Sequence, residues 1–88
     1  MAAVNVTPAA TEQIAALPLP VQGRVRRILA RLADWPAVSG AKPLQGDLAG
    51  HYRKRTGDYR IIFRASDNTH DAIITVVRLA HRKDVYDD

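Results

Sequence analysis

His51-Tyr52-Arg53-Lys54-Arg55-Thr56-Gly57-Asp58-Tyr59-Arg60-Ile61-Ile62-Phe63-Arg64-Ala65 is the stretch that decides the fold of this chain. Thr56-Gly57-Asp58 interrupts it with turn chemistry, leaving one strand over His51–Arg55 and a second over Tyr59–Ala65. Side chains alternate along a strand, so Tyr59, Ile61 and Phe63 share one face while Arg60, Ile62 and Arg64 share the other. On the preceding strand Arg53 and Arg55 fall together, with Tyr52 and Lys54 opposite. The apolar set needs cover and the arginines need water or an anion. A sheet packed on one face and open on the other satisfies both. Residues 51–64 carry five basic groups against one acid, Asp58. That excess fits a polyanion site, and it also fits a solvated outer sheet face.

Working outward, Ser66-Asp67-Asn68-Thr69 forms a second turn and leads into a strand over Ala72–Leu79. Its run Ile73-Ile74-Thr75-Val76-Val77 is apolar on both faces, which predicts a central strand covered on both sides. On the other flank, residues 37–50 carry Gly40, Pro43, Gly46 and Gly50 and predict a connecting loop, pinned by Leu44 and Leu48. Before it, Val21, Val25, Ile28, Leu29, Leu32 and Trp35 recur at helical spacing and predict a helix stopped by Pro36. Arg24, Arg27 and Arg31 occupy another face of that helix, suited to water, a partner or RNA. Thr7-Pro8 reads as a cap with proline at the first helical position, opening a helix over Ala9–Leu17 that Pro18 and Pro20 end. Val4-Asn5-Val6 alternates as a short strand. The order predicts one α+β domain over residues 1–88: a strand, a two-helix hairpin, then a three-stranded antiparallel meander with the helices on one face.

Several functions are excluded by composition. The 88 residues are 47% hydrophobic and 25% charged, as in an ordinary globular domain. The absence of cysteine removes disulfides, a thiolate nucleophile and cysteine-based zinc sites, and predicts a reducing cytoplasm. No run reaches the ~18 apolar residues of a membrane helix, and Met1-Ala2-Ala3-Val4-Asn5 lacks the pattern of a signal peptide. His51, His70 and His81 are not spaced as a helical metal site, so neither metal nor cofactor is expected. The net charge is +4, and ten of the 13 basic residues are arginine. The planar guanidinium fork suits phosphate, which points towards nucleic acid.

Three segments carry a recognisable pattern: Lys42-Pro43-Leu44-Gln45-Gly46-Asp47-Leu48, Tyr52 to Arg64 with Gly57-Asp58-Tyr59-Arg60-Ile61-Ile62-Phe63-Arg64 at its heart, and His81-Arg82-Lys83-Asp84-Val85-Tyr86. They resemble the RelE/ParE toxin superfamily. The terminal His-Arg-Lys-Asp-Val-Tyr is closer to the RelE branch than to the ParE branch.

The resemblance implies a RelE-like fold and the toxin of a type II toxin–antitoxin system, silenced by a cognate small acidic antitoxin. It also implies a metal-independent endoribonuclease, an mRNA interferase acting on mRNA in the A site of the 70S ribosome. In that reaction a ribose 2′-hydroxyl attacks the adjacent phosphate. Such chemistry requires a proton acceptor, a proton donor and fixed cations around the phosphate. By the same resemblance Arg60 meets the scissile phosphate and Tyr86 is the general base. Arg82 is the second catalytic group, with His81 competing for proton transfer. Arg53, Arg55, Arg64 and Lys83 bind RNA phosphates. A phenol ionises near pH ~10, so Tyr86 needs neighbouring cations such as Arg60, Arg82 and Lys83 to favour its phenolate. Two alternatives stand beside this reading: a ParE-like toxin that inhibits DNA gyrase by protein binding, and an inactive relative that only binds its antitoxin.

Overall fold

The structure is a computed structural model that describes residues 1–84. Its elements follow the order β1 (Ala3–Val6), α1 (Pro8–Ala15), α2 (Leu19–Leu32), β2 (Lys42–Pro43), β3 (His51–Thr56), β4 (Tyr59–Ala65) and β5 (Ile73–His81). Short 3-10 turns lie at Gly46–Leu48 and Arg82–Asp84. The α+β architecture expected from the sequence is present, with both helices on one side of a single sheet.

The sheet has five strands in the order β1-β5-β4-β3-β2. The strands β3, β4 and β5 form the antiparallel meander, and β1 adds parallel to β5, with Ala3 opposite Ile73 and Val6 opposite Val76. The loop predicted over 37–50 contains one correction: Lys42 and Pro43 pair with Arg53 and Tyr52 and form a fifth strand. Two residues with no hydrophobic alternation carry no strand signal. A lysine and a proline are nevertheless suited to an edge, where they discourage further pairing.

Both helix starts follow from local chemistry. Thr7 caps α1, its Oγ1 accepting from Ala10 N at 3.2 Å, with Pro8 at the first position. The same residue ties the helix to the sheet, Thr7 N donating to Val76 O at 3.0 Å and Thr7 Oγ1 to Val77 O at 3.4 Å. Pro18 is the residue before α2. Pro20 lies inside the first turn of α2, where its missing N–H is not needed. Gln22 closes the junction, donating from Nε2 to the carbonyls of Leu17 (2.8 Å) and Ala15 (3.3 Å). The second helix stops at Leu32, and Trp35 follows in a turn.

Val21, Val25, Leu32 and Trp35 meet Ile61, Phe63, Ile74, Val76 and Leu79 in the core. Trp35 packs edge-on against Tyr52 (4.8 Å) and Phe63 (5.7 Å), and its Nε1 donates to Asp67 O at 2.9 Å. Tyr52 stacks on Phe63 at 5.8 Å. Asp67 builds the β4–β5 turn by accepting from Thr69 N (2.9 Å) and Thr69 Oγ1 (2.6 Å). Those bonds, the side-chain one foremost, hold its carboxyl below the ordinary range.

The strand β5 departs from simple alternation. Ile62 faces Arg78 but Phe63 faces Val76, so Val77 is an extra residue bulged out of the ladder. The phase of the strand flips there. Ile74 and Val76 enter the core before the bulge and Leu79 after it, whereas Ile73 stays half-exposed (51%). The expectation that β5 is covered on both faces is therefore corrected. Hydrogen bonds bracket it on both edges, but helices cover one face alone.

Candidate nucleic-acid interface

Strand register fixes which side chains share the face opposite the two helices, because residues directly opposite one another point the same way. Nearest the β3–β4 turn the row is Arg55, Arg60 and Ala80. The next is Lys42, Arg53, Ile62 and Arg78. The third is His51, Arg64, Thr75 and Asn5. Five arginines, one lysine and one histidine thus lie on one face of neighbouring strands.

Arg60 is at the centre of this group. Arg55 stands directly across, with Cβ atoms about 4.5–5.5 Å apart, and Arg53 and Arg78 lie on the diagonals, about 7–8 Å away. Arg53 and Arg60 are buried, at 7% and 8% exposure, in a face that no helix covers. Ile62 and Ala80, themselves buried, are their neighbours on the same face. Ala80 is the smallest neighbour of Arg60 in its row. Like charges directly opposite one another destabilise a sheet. An Arg55–Arg60 pair therefore raises the positive potential of this face at its centre. Arg64 and Arg78 are exposed at the margin.

The remaining expected residues sit at the end of β5. Arg82 N donates to Asp58 O at 2.7 Å, and Arg82 Nη1 lies 3.6 Å from Asp58 Oδ1. Arg82 is thereby held at the β3–β4 turn, beside the Arg55–Arg60 row. Lys83 is exposed, and its N donates to His81 Nδ1 at 3.1 Å. This leaves the proton of the neutral His81 ring on Nε2. The register places His81 with Tyr59, edge-on at 5.0 Å, on the face opposite Arg60. The structure thus brings Arg53, Arg55, Arg60 and Arg64 together, sets Arg82 at their edge, and turns His81 away. Tyr86 lies outside the described residues.

Two members of the face escape a reading of alternation. Unbroken alternation from Ile74 and Val76 sends Arg78 into the core, and only the Val77 bulge turns it outward. Its charge was the available signal, since a lone arginine in an apolar strand asks for a phase change. Lys42 is the other, since its place follows from pairing with Arg53 in a segment read as loop. His51, by contrast, falls in phase with Arg53 and Arg55, its Nδ1 buried with no hydrogen-bond partner among the described residues. Among the described residues no three His, Asp or Glu side chains group as metal ligands. None of their helices is long and apolar enough to cross a membrane.

A helix pair on one face of a mixed sheet, with an arginine cluster on the other, is the RelE-like arrangement the sequence resemblance implied, and the comparisons with known proteins agree. The model of the family described as ParE toxin of type II toxin–antitoxin system, parDE, matches residues 4–86, and the chain belongs to this family, within the RelE/ParE superfamily. It is 40% identical over 45 residues to Toxin RelG of Mycobacterium tuberculosis, a match covering 51% of this chain and 49% of that protein. The chain thus aligns with about half the length of that curated relative. Its structure is similar to the toxin–antitoxin complex RelBE2 of Mycobacterium tuberculosis, with a TM-score of 0.77 and 28% identity, covering 91% of this chain and 96% of the other. It is likewise similar to the archaeal RelE–RelB complex of Pyrococcus horikoshii, with a TM-score of 0.68 and 27% identity over 91% and 93% of the two chains.

Proposed function

We propose that this chain is a toxin of the RelE kind, an endoribonuclease that cuts mRNA at the ribosomal A site by attack of a ribose 2′-hydroxyl. The observation that carries the reading is the Arg60 cluster. Arg60, with Arg55 opposite and Arg53 and Arg78 on the diagonals, gathers cations of the kind a reacting phosphate requires, which supports this reading.

In this mechanism the 2′-oxygen bonds to phosphorus as its proton leaves, and the bond from phosphorus to the 5′-oxygen breaks as that oxygen gains a proton. A 2′,3′-cyclic phosphate and a 5′-hydroxyl result. Charge grows on the non-bridging oxygens, where Arg60 and Arg53 lie preorganised. Arg55, Arg64 and Lys83 hold flanking phosphates. Tyr86 accepts the 2′-proton, and Arg82 or His81 serves the leaving oxygen. His81 does so only if its ring leaves Tyr59, against which it packs edge-on at 5.0 Å. A small acidic antitoxin lying along the same face silences the toxin by competing with phosphate for these cations.

The deciding experiment maps RNA ends in a translating extract with and without the purified protein. New 5′-hydroxyl and cyclic-phosphate ends within codons are expected, and they should vanish when the cut-site ribose is 2′-deoxy. The ParE description of the matching family model favours one second reading, a toxin that inhibits DNA gyrase and cuts nothing. Unchanged RNA ends together with blocked supercoiling would establish that reading in place of ours.

A further inference from the structure

The arginines of α2 play no part in the chemistry above. Arg24, Arg27 and Arg31 recur at i, i+3 and i+7, within about 60° of one another around the helix, and all three are exposed. The helix Leu19–Leu32 contains no acidic residue. This flank runs beside β3 on the helix side of the sheet. At one end Arg24 reaches the β3–β4 turn, its Nη2 lying 3.7 Å from where a β-carbon on Gly57 would be. At the other, Arg31 and Lys54 line a cleft of about 200 Å³ with Ile28, Asp34, Val38 and Ser39. Lys54 is fixed there, its Nζ donating to Ser39 O at 2.6 Å. A basic trough therefore runs for about 10 Å, the axial rise from Arg24 to Arg31, and ends in a small seat lined by two cations and the single carboxylate of Asp34.

We propose that this trough is a second nucleic-acid site, which grips the phosphate backbone of a double helix independently of the open sheet face. Three observations select that occupant. The cleft is smaller than the ~300–1,000 Å³ of pockets that enclose whole small molecules, so it seats one group of a larger ligand. Among the described residues the trough has no exposed aromatic ring, which single-strand binding uses to stack bases, so it suits a backbone whose bases are already paired. Nor do those residues give it an exposed apolar centre of the kind that anchors a protein interface, because Leu19 lies more than a turn before Arg24. Arginine forks meet phosphate oxygens in pairs. The domain is thus two-sided, with one basic surface on each face of the sheet.

Fluorescence anisotropy of the full chain over a series of salt concentrations tests this with four probes: a 20-base-pair RNA duplex, a DNA duplex, a single-stranded RNA and a polyglutamate peptide. Arg24→Gln/Arg27→Gln/Arg31→Gln removes up to three phosphate-binding cations, so the slope of log affinity against log salt on a duplex should fall by about 2–3. Arg55→Gln/Arg64→Gln/Arg78→Gln should instead lower the slope mainly on single-stranded RNA. The RNA and DNA arms show which duplex is preferred. All six positions are exposed, and unchanged far-UV circular dichroism establishes that the variants fold. The proposal is overturned if the helix triple variant keeps the parental duplex slope, if both triples lose duplex binding equally, or if only polyglutamate binding falls, which would indicate an acidic protein partner. Cleavage is not read, so the outcome is separate from that of the nuclease reading.

Discussion

The two faces of the central strand β4 are built from alternate residues of one seven-residue segment, yet they obey opposite rules. Ile61 and Phe63 point to the helices and are sealed by Val25, Leu32 and Trp35. Arg60 and Arg64 point the other way, with Arg60 packed down beside Arg53 and Arg55 where charge repels charge. The covered face is optimised for the fold. The other face concentrates positive charge on neighbouring strands, the feature on which the proposed function rests.

Truncating the covered face gives the largest effect. Phe63→Ala removes a fully buried ring held between Trp35 and Tyr52, and the expected loss is about 3–5 kcal/mol of stability. Urea denaturation measures it as a lower midpoint with the denaturant slope unchanged. A cost below about 1 kcal/mol would break the contrast between the faces.

Truncating the bare face should move a different quantity. Arg60→Ala is expected to lose about 10²–10³ in the rate of RNA cleavage under single-turnover conditions, equivalent to ~2.7–4 kcal/mol of transition-state stabilisation. Its urea midpoint should fall by less than that of Phe63→Ala, because Arg60 lies outside the apolar core cluster. A variant that cleaves normally but unfolds easily would make Arg60 a structural residue.

The smallest effect belongs to the carboxylate of Asp67 in the β4–β5 turn, which closes the turn on Thr69 and touches neither face. The Thr69 bonds lower the pKa of Asp67 from 3.8, so the folded state favours the carboxylate. The stabilisation is complete above the unfolded value and is lost as the pH falls through the folded one. Asp67→Ala should therefore lower the thermal midpoint slightly at neutral pH and hardly at all well below pH 3.8. Equal loss at both would show that the turn does not depend on the charge of Asp67.

Much of the comparison was legible in the residues themselves. Alternation from Tyr59 to Arg64 assigned both faces of β4, and the 3.6-residue period of α2 identified the packed stripe. Thr7-Pro8 marked the start of α1. Legibility ended where pairing depends on distant segments. The strand Lys42–Pro43 exists only because β3 offers an edge, and the parallel docking of β1 follows from tertiary packing with β5. Arg78 was hidden for a related reason, since a bulge is a property of two strands and no single one announces it. His81 is a different case: its place in a recognisable tail suggested the site, and parity across the bulge sets its ring beside Tyr59.

Under the proposed function, the parallel pairing of β1 with β5 also bears on when the finished chain acquires its activity and needs its partner. Residues 3–6 wait for partners at 73–76, so the sheet closes through pairings among the most distant in sequence, and such pairings form late. Arg78 follows two residues beyond that pairing. A nascent chain on the ribosome can make its helices and the β3–β4 hairpin early, but it cannot assemble the complete arginine face until β5 has emerged. Synthesis itself imposes the delay, and a partner made alongside has that interval in which to arrive.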